Sequence, residues 1–349
     1  ENPPPLAVLI SDTAPQEEIE AKIDKLNSLV YERVGLTLRP ELAALRCDSG
    51  QPERFAALVE QVKTQSPAGL ILLSPDPVVL ASGLKAAAER TPLLYAATAQ
   101  NISSLAPLAR DFHCPLAVKG SSLEETAALT ERLRQAGLQD LLIDTGARTL
   151  RQAFQDQVRA RQAALAKLRS LGYPTIAFPA EMTSDPLKEA LLASLFISKY
   201  AALIILSDFH PYSLFPLLVQ RMNLFTDPQK PLATKEGIYE IGKPDASSPV
   251  LITSNFSLTY FIVSAEIENS RIPAYQLVKD TEGLSVMTAW AAGKFVADVI
   301  APFVKKCGIE DRISHRSLII PGYAAQESGG LEEELPGWKI QVGPREAAH

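Results

Sequence analysis

The side chains best suited to chemistry lie in short polar loops that each follow an apolar, strand-like run. Between residues 250 and 349 there are four such loops: Thr253–Phe256, Asp280–Ser285, Pro321–Gln326 and Gly343–Ala347. The carboxyl ends of parallel strands meet at one edge of a sheet, where open α/β folds bind their ligands. Gly283, Gly322 and Gly343 have no side chain to keep a large ligand away from the backbone. We therefore expect a binding site built from these loops.

The loop Asp280–Ser285 has the most distinctive surroundings. A strand is predicted at Ala274–Lys279 before it, and a largely buried helix from Leu284 to Lys306 after it. Its small polar residues and glycine suit a tight turn whose N–H groups stay free for a ligand. Ordinary turns that align by chance are the alternative. The sequence contains no Gly-x-Gly-x-x-Gly, so a dinucleotide ligand is weakly supported.

A second set of polar residues follows predicted strands in the first 225 residues. Its members are Ser11, Asp12, Asp48, Asp76, Gln100, Asn101, Lys119, Asp144, Glu181, Asp208 and His210. They could hydrogen-bond a pterin ring, but capping of the helices that follow is the favoured interpretation. Asp208-Phe-His210 superficially resembles a cobalt-ligating Asp-x-His motif, but Leu214 stands where that motif has glycine. We assign the chain no catalytic residue and no metal ligand.

The elements that would position these loops form a repeating pattern. Eight apolar runs alternate with amphipathic segments such as Pro15–Val34: Leu6–Ile10, Leu42–Cys47, Gly69–Ser74, Leu93–Thr98, Pro115–Gly120, Asp140–Thr145, Thr175–Pro179 and Ala202–Ser207. This pattern predicts a (β/α)8 TIM barrel over residues 1–225, with an open doubly wound sheet as the competitor. Residues 226–249 are predicted as a linker with one short strand at Ile238–Ile241, because four prolines (Pro228, Pro231, Pro244 and Pro249) break any long helix. Residues 250–349 are predicted as a small three-layer α/β domain.

Composition narrows the class of protein. The net charge of −6 argues against nucleic-acid and anionic-membrane partners. Cys47, Cys114 and Cys307 are widely spaced and support neither a disulfide framework nor a metal cluster within the chain. No apolar run is long enough to span a bilayer, and no signal peptide precedes the first strand, so a cytoplasmic location is expected.

Several segments of the C-terminal part resemble one known family. They are Ser254–Tyr260, Asp280–Phe295, Leu331–Pro336 and Gly343–Ala347. These segments closely resemble the large subunit of the corrinoid iron–sulfur protein, which is equivalent to the gamma subunit of acetyl-CoA decarbonylase/synthase. The resemblance implies that the C-terminal domain binds a corrinoid (cobalamin), base-off and without a histidine ligand. The cofactor-binding residues are then expected to be Ser254, Asn255, Thr259, Thr281, Gly283, Leu284, Ser285, Val286, Gly322, Gly343, Pro344, Arg345 and Glu346.

The resemblance also implies a function and a set of partners. In that family the corrinoid accepts a methyl group from methyltetrahydrofolate on a separate methyltransferase and passes it to acetyl-CoA synthase. A small subunit completes a heterodimer, and a reductive activator restores the active state. The family carries an N-terminal four-cysteine module with a 4Fe–4S cluster, which this sequence is expected to lack. A pterin-dependent methyltransferase acting at the barrel mouth and a purely structural subunit remain the alternatives.

Overall fold

The computed structural model describes residues 2–227 and 231–348. Over these residues the chain divides into two compact units. The first, called the barrel unit, comprises Glu1–Tyr31 and Thr37–Phe225. The second, called the C-terminal unit, comprises Glu32–Leu36 and Thr226–His349.

The barrel unit is built from alternating strands and helices. After strand β1 Leu6–Ser11 and the first helix comes a short two-stranded ribbon, β2 Tyr31–Arg33 and β3 Leu36–Leu38, which has residues in each unit. The remaining strands are β4 Leu42–Arg46, β5 Gly69–Leu73, β6 Leu93–Ala97, β7 Leu116–Lys119, β8 Leu141–Asp144, β9 Thr175–Ala177 and β10 Ala201–Leu206. Its helices are α1 Gln16–Ser28, α2 Pro52–Gln65, α3 Pro77–Ala87, α4 Ile102–Asp111, α5 Leu123–Gln135, α6 Leu150–Leu165, α7 Pro186–Ser198 and α8 Pro211–Phe225, with 3₁₀ turns at Ala88–Arg90, Arg169–Leu171 and Pro179–Glu181.

Eight parallel strands close in the order β1-β10-β9-β8-β7-β6-β5-β4, which confirms the predicted TIM barrel. Along each strand, alternate residues face the barrel interior or the helices. Leu9, Ile71 and Ile205, for example, pack together inside the barrel. Val8 and Leu72 belong to the layer that packs against the helices. This two-sided burial explains why the strands read as continuous apolar runs.

The prediction of a helix over Pro15–Val34 is wrong beyond Ser28, where α1 ends. The chain then forms the β2–β3 ribbon. Val34 and Gly35 both have positive φ, 50° and 74°, between these two strands. Two consecutive positive φ angles are typical of the tight turns that join antiparallel strands, and they are incompatible with a continuing helix.

Over its described residues, the C-terminal unit is a five-stranded sheet with four helices. Its strands are β11 Gly237–Ile241, β12 Val250–Ser254, β13 Ala274–Lys279, β14 Ser317–Ile320 and β15 Lys339–Val342, and its helices are α9 Ser257–Ser270, α10 Val286–Ala291, α11 Ala297–Lys306 and α12 Ser328–Glu334, with 3₁₀ turns at Ile309–Asp311 and Gly322–Glu327. The strand order is β11-β13-β12-β14-β15. Strands β13, β12, β14 and β15 are parallel, so the loops after them lie along one edge.

The helices cover the two faces of this sheet unequally. Residues of α10, α11 and α12 pack with Ile252, Leu277 and Ile320 into one core. Helix α9 packs on the other face, against β11, β12 and β13. The result is the three-layer α/β arrangement predicted from the sequence, but α9 contributes few buried side chains, and Ile262 is 48% exposed.

The continuous buried helix predicted from Leu284 to Lys306 is wrong, because the chain forms α10 and α11 with a break between them. Gly293 has φ +70°, its N–H donates to Trp290 O, and Lys294 N donates to Ala289 O. This pair of hydrogen bonds around a left-handed glycine is the Schellman motif, which ends α10. Neither helix is buried all round, since Met287 of α10 is 57% exposed and α11 exposes Asp298, Pro302 and Lys305.

The segment 226–249, predicted as a linker, contributes β11 to the sheet. Strand β11 pairs antiparallel with β13 at the edge, with Tyr239 opposite Gln276. Pro228, one of the prolines behind the linker prediction, lies outside the described residues. Across the part of the chain that the structure describes, every helix is too short or too polar to cross a membrane.

Candidate functional site

A cavity of about 520 Å³ opens at the carboxyl edge of the C-terminal unit. One wall is helix α9, and the floor is formed by β12 and β14. Loops at the strand ends close it above, including residues 285–287 and 343–347. Its volume and mostly apolar lining are typical of small-molecule sites, and it lies where an α/β sheet binds its ligand.

Seven of the thirteen residues predicted to bind a cofactor line this cavity. They are Thr259, Ser285, Val286, Gly343, Pro344, Arg345 and Glu346. The structure brings these residues together from helix α9 and from the loops after β13 and β15. Their shared location supports a single site at this edge. The other six, Ser254, Asn255, Thr281, Gly283, Leu284 and Gly322, do not line it.

Asn255 holds the loop after β13 in place. Its Oδ1 accepts hydrogen bonds from Thr281 N at 3.0 Å and Gly283 N at 2.9 Å, and its Nδ2 donates to Asp280 Oδ1 at 2.8 Å. The Thr281 hydroxyl lies 2.9 Å from both Asn255 Oδ1 and Leu284 O. The prediction that the N–H groups of this turn stay free is therefore wrong. Asn255 shapes the rim of the cavity from behind.

Gly283 is required by this turn rather than by a ligand. Glu282 and Gly283 have φ +58° and +75°, and Leu284 N donates to Thr281 O at 3.3 Å. A Cβ at Gly283 would lie 2.9 Å from Pro231 Cγ. A larger residue at this position would strain the backbone and collide with Pro231, whatever the cavity contains.

Gly322 fixes the loop after β15 against the end of β14. A Cβ on Gly322 would lie 2.8 Å from Arg345 N, Gly343 O and Pro344 C, so the two backbones meet there. Gly322 N also donates to Pro344 O at 3.0 Å. This close approach explains how a glycine outside the cavity positions residues that line it.

The rim of the cavity carries charge. Arg345 lies over the Tyr323 ring, with its guanidinium carbon 5.9 Å from the ring centroid. The Tyr323 hydroxyl donates to Glu346 Oε1 at 3.2 Å. Tyr323 thus holds both charged residues beside the opening, where polar groups of a ligand can be oriented.

Other lining residues were not among the thirteen predicted to bind the cofactor, although Thr253, Pro321, Tyr323 and Ala347 belong to the loops predicted to form the site. They are Leu251, Ile252, Thr253, Ile262, Val263, Glu266, Ile267, Ser270, Met287, Ile319, Ile320, Pro321, Tyr323 and Ala347. The α9 members among them, together with the predicted Thr259, recur at spacings of three and four as far as Ser270. That spacing is the signal that could have found them, because it indicates one helix face. Of the α9 residues, only Thr259 was predicted to contact the ligand.

The polar residues at the barrel mouth bind one another. The Arg148 guanidinium donates to Asp144 Oδ1 at 3.1 Å and Oδ2 at 2.7 Å, and also to Glu181. The Tyr95 hydroxyl donates to Asp144, which is 1% exposed. Burial alone would lower the pKa of Arg148, but its bonds to Asp144 outweigh this and raise the pKa above the ordinary arginine value. Burial and the Asp144 charge raise the pKa of Tyr95 well above its usual range.

Other polar residues that were candidates for pterin binding at the barrel mouth also form hydrogen bonds within the chain. Asp76 caps α3 by accepting from Val78 N at 2.8 Å. Asn101 Oδ1 accepts from Thr98 N at 2.7 Å, and its Nδ2 donates to Pro75 O. Asp12 accepts from two backbone N–H groups of the next strand-end loop, those of Asp48 and Ser49. These contacts favour the structural interpretation of the barrel residues over pterin binding.

Comparison with known proteins decides the family. The model of the CO dehydrogenase/acetyl-CoA synthase delta subunit family matches residues 1–349. The chain is 42% identical to the corrinoid/iron–sulfur protein large subunit of Moorella thermoacetica over 344 residues, covering 98% of this chain and 76% of that protein. The chain belongs to the family that this model describes, together with the corrinoid/iron–sulfur protein large subunit. The resemblance found in the sequence is thereby confirmed.

The family extends to archaea. The acetyl-CoA decarbonylase/synthase complex subunit gamma of Methanopyrus kandleri is 36% identical over 359 residues, with 99% of this chain and 77% of that protein covered. The corresponding subunit of Methanothermobacter thermautotrophicus is 34% identical over 360 residues, with coverages of 99% and 78%. The matches thus span both units of the chain.

Among solved structures, a dihydropteroate synthase from Thermus thermophilus in complex with 6HMPPP is similar to this chain. The TM-score is 0.50 and the sequence identity 14%, over 64% of this chain and 95% of that one. At this level of identity the likeness concerns the TIM-barrel fold alone.

Proposed function

We propose that the chain is a corrinoid-binding methyl carrier of the acetyl-CoA pathway, and that the α9 cavity holds part of the corrinoid. The main observation in support is that seven residues predicted from the family resemblance line one cavity, which lies at the carboxyl ends of the parallel strands. The names of the relatives, corrinoid/iron–sulfur protein large subunit and acetyl-CoA decarbonylase/synthase subunit gamma, support the same function.

The residues present fit such a group. The walls, such as Ile262, Val263 and Ile319, are apolar and exclude water from a buried ligand surface. The rim offers Arg345, Glu346 and Ser285 to the amide and phosphate groups at a corrinoid's periphery. When bound, the corrinoid supplies a cobalt centre that accepts and releases a methyl group. The chain's own task is to hold that group, orient it and leave its reactive face accessible.

We further propose that the corrinoid is bound base-off without a histidine ligand, and the contacts of His315 support this. Within the described residues of the C-terminal unit the single histidine is His315. Its Nε2 lies 3.0 Å from Ser248 O, and its Nδ1 accepts from Ser317 N at 3.2 Å. Both ring nitrogens are therefore engaged in structural hydrogen bonds. A cobalt without a strong protein ligand is easier to keep in a low-valent state.

The cavity also suits a partner that covers the ligand. It opens beside the exposed apolar side chains of Ile262 and Met287, which are 48% and 57% exposed. Exposed apolar residues around a ligand site are typical of surfaces that become buried in a complex. We assign this cover to the small subunit of the family heterodimer. The methyltetrahydrofolate methyltransferase, acetyl-CoA synthase and a reductive activator are the proposed transient partners, in the cytoplasm.

Substituting Thr259 by tryptophan tests the assignment of the cavity. Thr259 lines the opening on the first turns of α9. A bulky indole there occupies ligand space, and overpacking of this kind costs about 1–3 kcal/mol, which corresponds to roughly a 5- to 150-fold loss of affinity. We expect the Thr259→Trp variant to bind cobalamin that much more weakly in a spectroscopic titration of the full-length protein.

The control is Leu258→Trp, at the neighbouring position. Leu258 is 43% exposed and does not line the cavity, so the same indole should leave cobalamin affinity within about twofold. Equal affinities of the two variants would place the ligand elsewhere on the molecule.

A further inference from the structure

The α9 cavity has the shape of a slot. Along α9 its lining residues run from Thr259 to Ser270, which is about 16 Å of helix at 1.5 Å per residue. Leu251 and Ile319 lie opposite on adjacent strands, paired in register. With a volume of about 520 Å³, the slot is in the size range of small-molecule binding sites. The structure thus separates a deep apolar part from the polar rim at Arg345.

One buried hydroxyl lines the slot without a hydrogen-bond partner among the described residues. Thr253 lines the slot and is 2% exposed, yet its Oγ1 has no hydrogen-bond partner among the described residues. Because side chains alternate along a strand, Thr253 and Leu251 share the face that α9 partly covers, whereas Ile252 packs into the opposite core. A buried hydroxyl without a partner costs free energy, so a ligand in the slot is the natural source of the missing partner.

The neighbouring Ser254 provides a contrast. Its hydroxyl is also buried and without a partner among the described residues, but Ser254 does not line the slot. It faces the other side of the sheet, where the helices of the C-terminal core pack. Of the two adjacent hydroxyls, only that of Thr253 is placed to meet a ligand.

We propose that the Thr253 hydroxyl donates a hydrogen bond to a ring nitrogen of the heteroaromatic base that ends the nucleotide arm of the corrinoid. This inference rests on the proposed corrinoid-binding function and assigns a specificity-determining residue to it. A base that has left cobalt exposes a nitrogen lone pair, and Thr253 is the lining residue whose hydroxyl is buried without a hydrogen-bond partner among the described residues. Thr253 is therefore a positioning residue, which selects nitrogen-containing bases over phenolic ones and holds the base away from cobalt.

The test compares Thr253→Val with Thr253→Ser in the full-length protein. Valine keeps the shape of threonine and removes the hydroxyl, whereas serine keeps the hydroxyl. Each variant is titrated spectroscopically with cobalamin, whose base has a ring nitrogen, and with cobinamide, which has no nucleotide arm. We expect Thr253→Val to bind cobalamin about five- to tenfold more weakly and cobinamide as wild type does, since one neutral hydrogen bond is lost. Thr253→Ser should bind cobalamin within about twofold of wild type.

A second comparison uses a cobamide whose lower base is a phenol without a ring nitrogen. The wild-type protein should bind cobalamin more tightly than it binds this phenolic cobamide. The ratio of the two affinities should be smaller in Thr253→Val. Unchanged cobalamin affinity in Thr253→Val would overturn the inference, and so would an equal loss for cobalamin and cobinamide. Failure of the wild-type protein to bind either ligand would instead refute the proposed function on which the inference rests.

Discussion

Replacing Asn255 with alanine should lower the free energy of unfolding of the C-terminal unit by about 2–4 kcal/mol. Asn255 is 4% exposed, and its Oδ1 is the acceptor for the backbone N–H groups of Thr281 and Gly283. Alanine leaves two buried donors without a partner, and each such group carries a desolvation penalty of about 1–3 kcal/mol. The loop after β13 then loses the contact that fixes the cavity rim, so corrinoid affinity should fall as well.

The fluorescence of the two tryptophans measures this change selectively. Trp290 and Trp338 are the only tryptophans in the sequence, and both belong to the C-terminal unit. Urea denaturation followed by their emission therefore reports this unit. The matched control is Asn269→Ala on α9, where the asparagine is exposed and a change within about 0.5 kcal/mol is expected. If Asn255→Ala unfolded at the same urea concentration as this control, the proposed role of Asn255 would be wrong.

Replacing Arg148 with alanine should cost the barrel unit about 3–5 kcal/mol, the typical penalty for leaving a buried charge unpaired. Asp144 is 1% exposed, and the Arg148 guanidinium binds both of its carboxylate oxygens. The same guanidinium lies 4.4 Å from the centroid of the Phe178 ring. Alanine removes the charge partner and the stacking group together, while the Tyr95 hydroxyl alone cannot neutralise the carboxylate.

Far-UV circular dichroism during urea denaturation measures this effect, with tryptophan fluorescence as the internal reference for the other unit. Arg151→Ala is the matched control, because Arg151 is exposed on the first turn of α6 and should change stability by less than about 0.5 kcal/mol. Corrinoid affinity of Arg148→Ala under native conditions should equal that of wild type. Similar stability of the two variants would show that the Asp144 charge is compensated in another way.

Much of the fold could be predicted from local sequence patterns. The eight apolar runs specify buried parallel strands, and their regular spacing specifies a barrel. The break at Gly293 was missed because a helix-period pattern continues on both sides of it. Only the left-handed backbone of that glycine separates α10 from α11. The β2–β3 ribbon was missed for a similar reason, since Val34 rarely adopts the positive φ that the turn requires.

The candidate site was predicted less completely, because a polar residue at a strand end can contact a ligand or hold a loop. Ser285 and Arg345 line the cavity, whereas Asn255 holds the loop through hydrogen bonds within the chain. The sequence alone does not distinguish these roles, which depend on which backbone donors lie nearby. Thr253 was overlooked in favour of Ser254 because the face of a strand residue depends on the pleat and on what covers each face.

The central claim, that the C-terminal unit holds a base-off corrinoid, is tested most directly by one spectroscopic titration. Hydroxocobalamin is added to the full-length protein with and without the small subunit of the family heterodimer, and the visible spectrum of the bound form is recorded. We predict binding with a spectrum in which the lower base has left cobalt, strengthened by the small subunit. A bound form whose base remains on cobalt, or no binding with or without the small subunit, would contradict this claim.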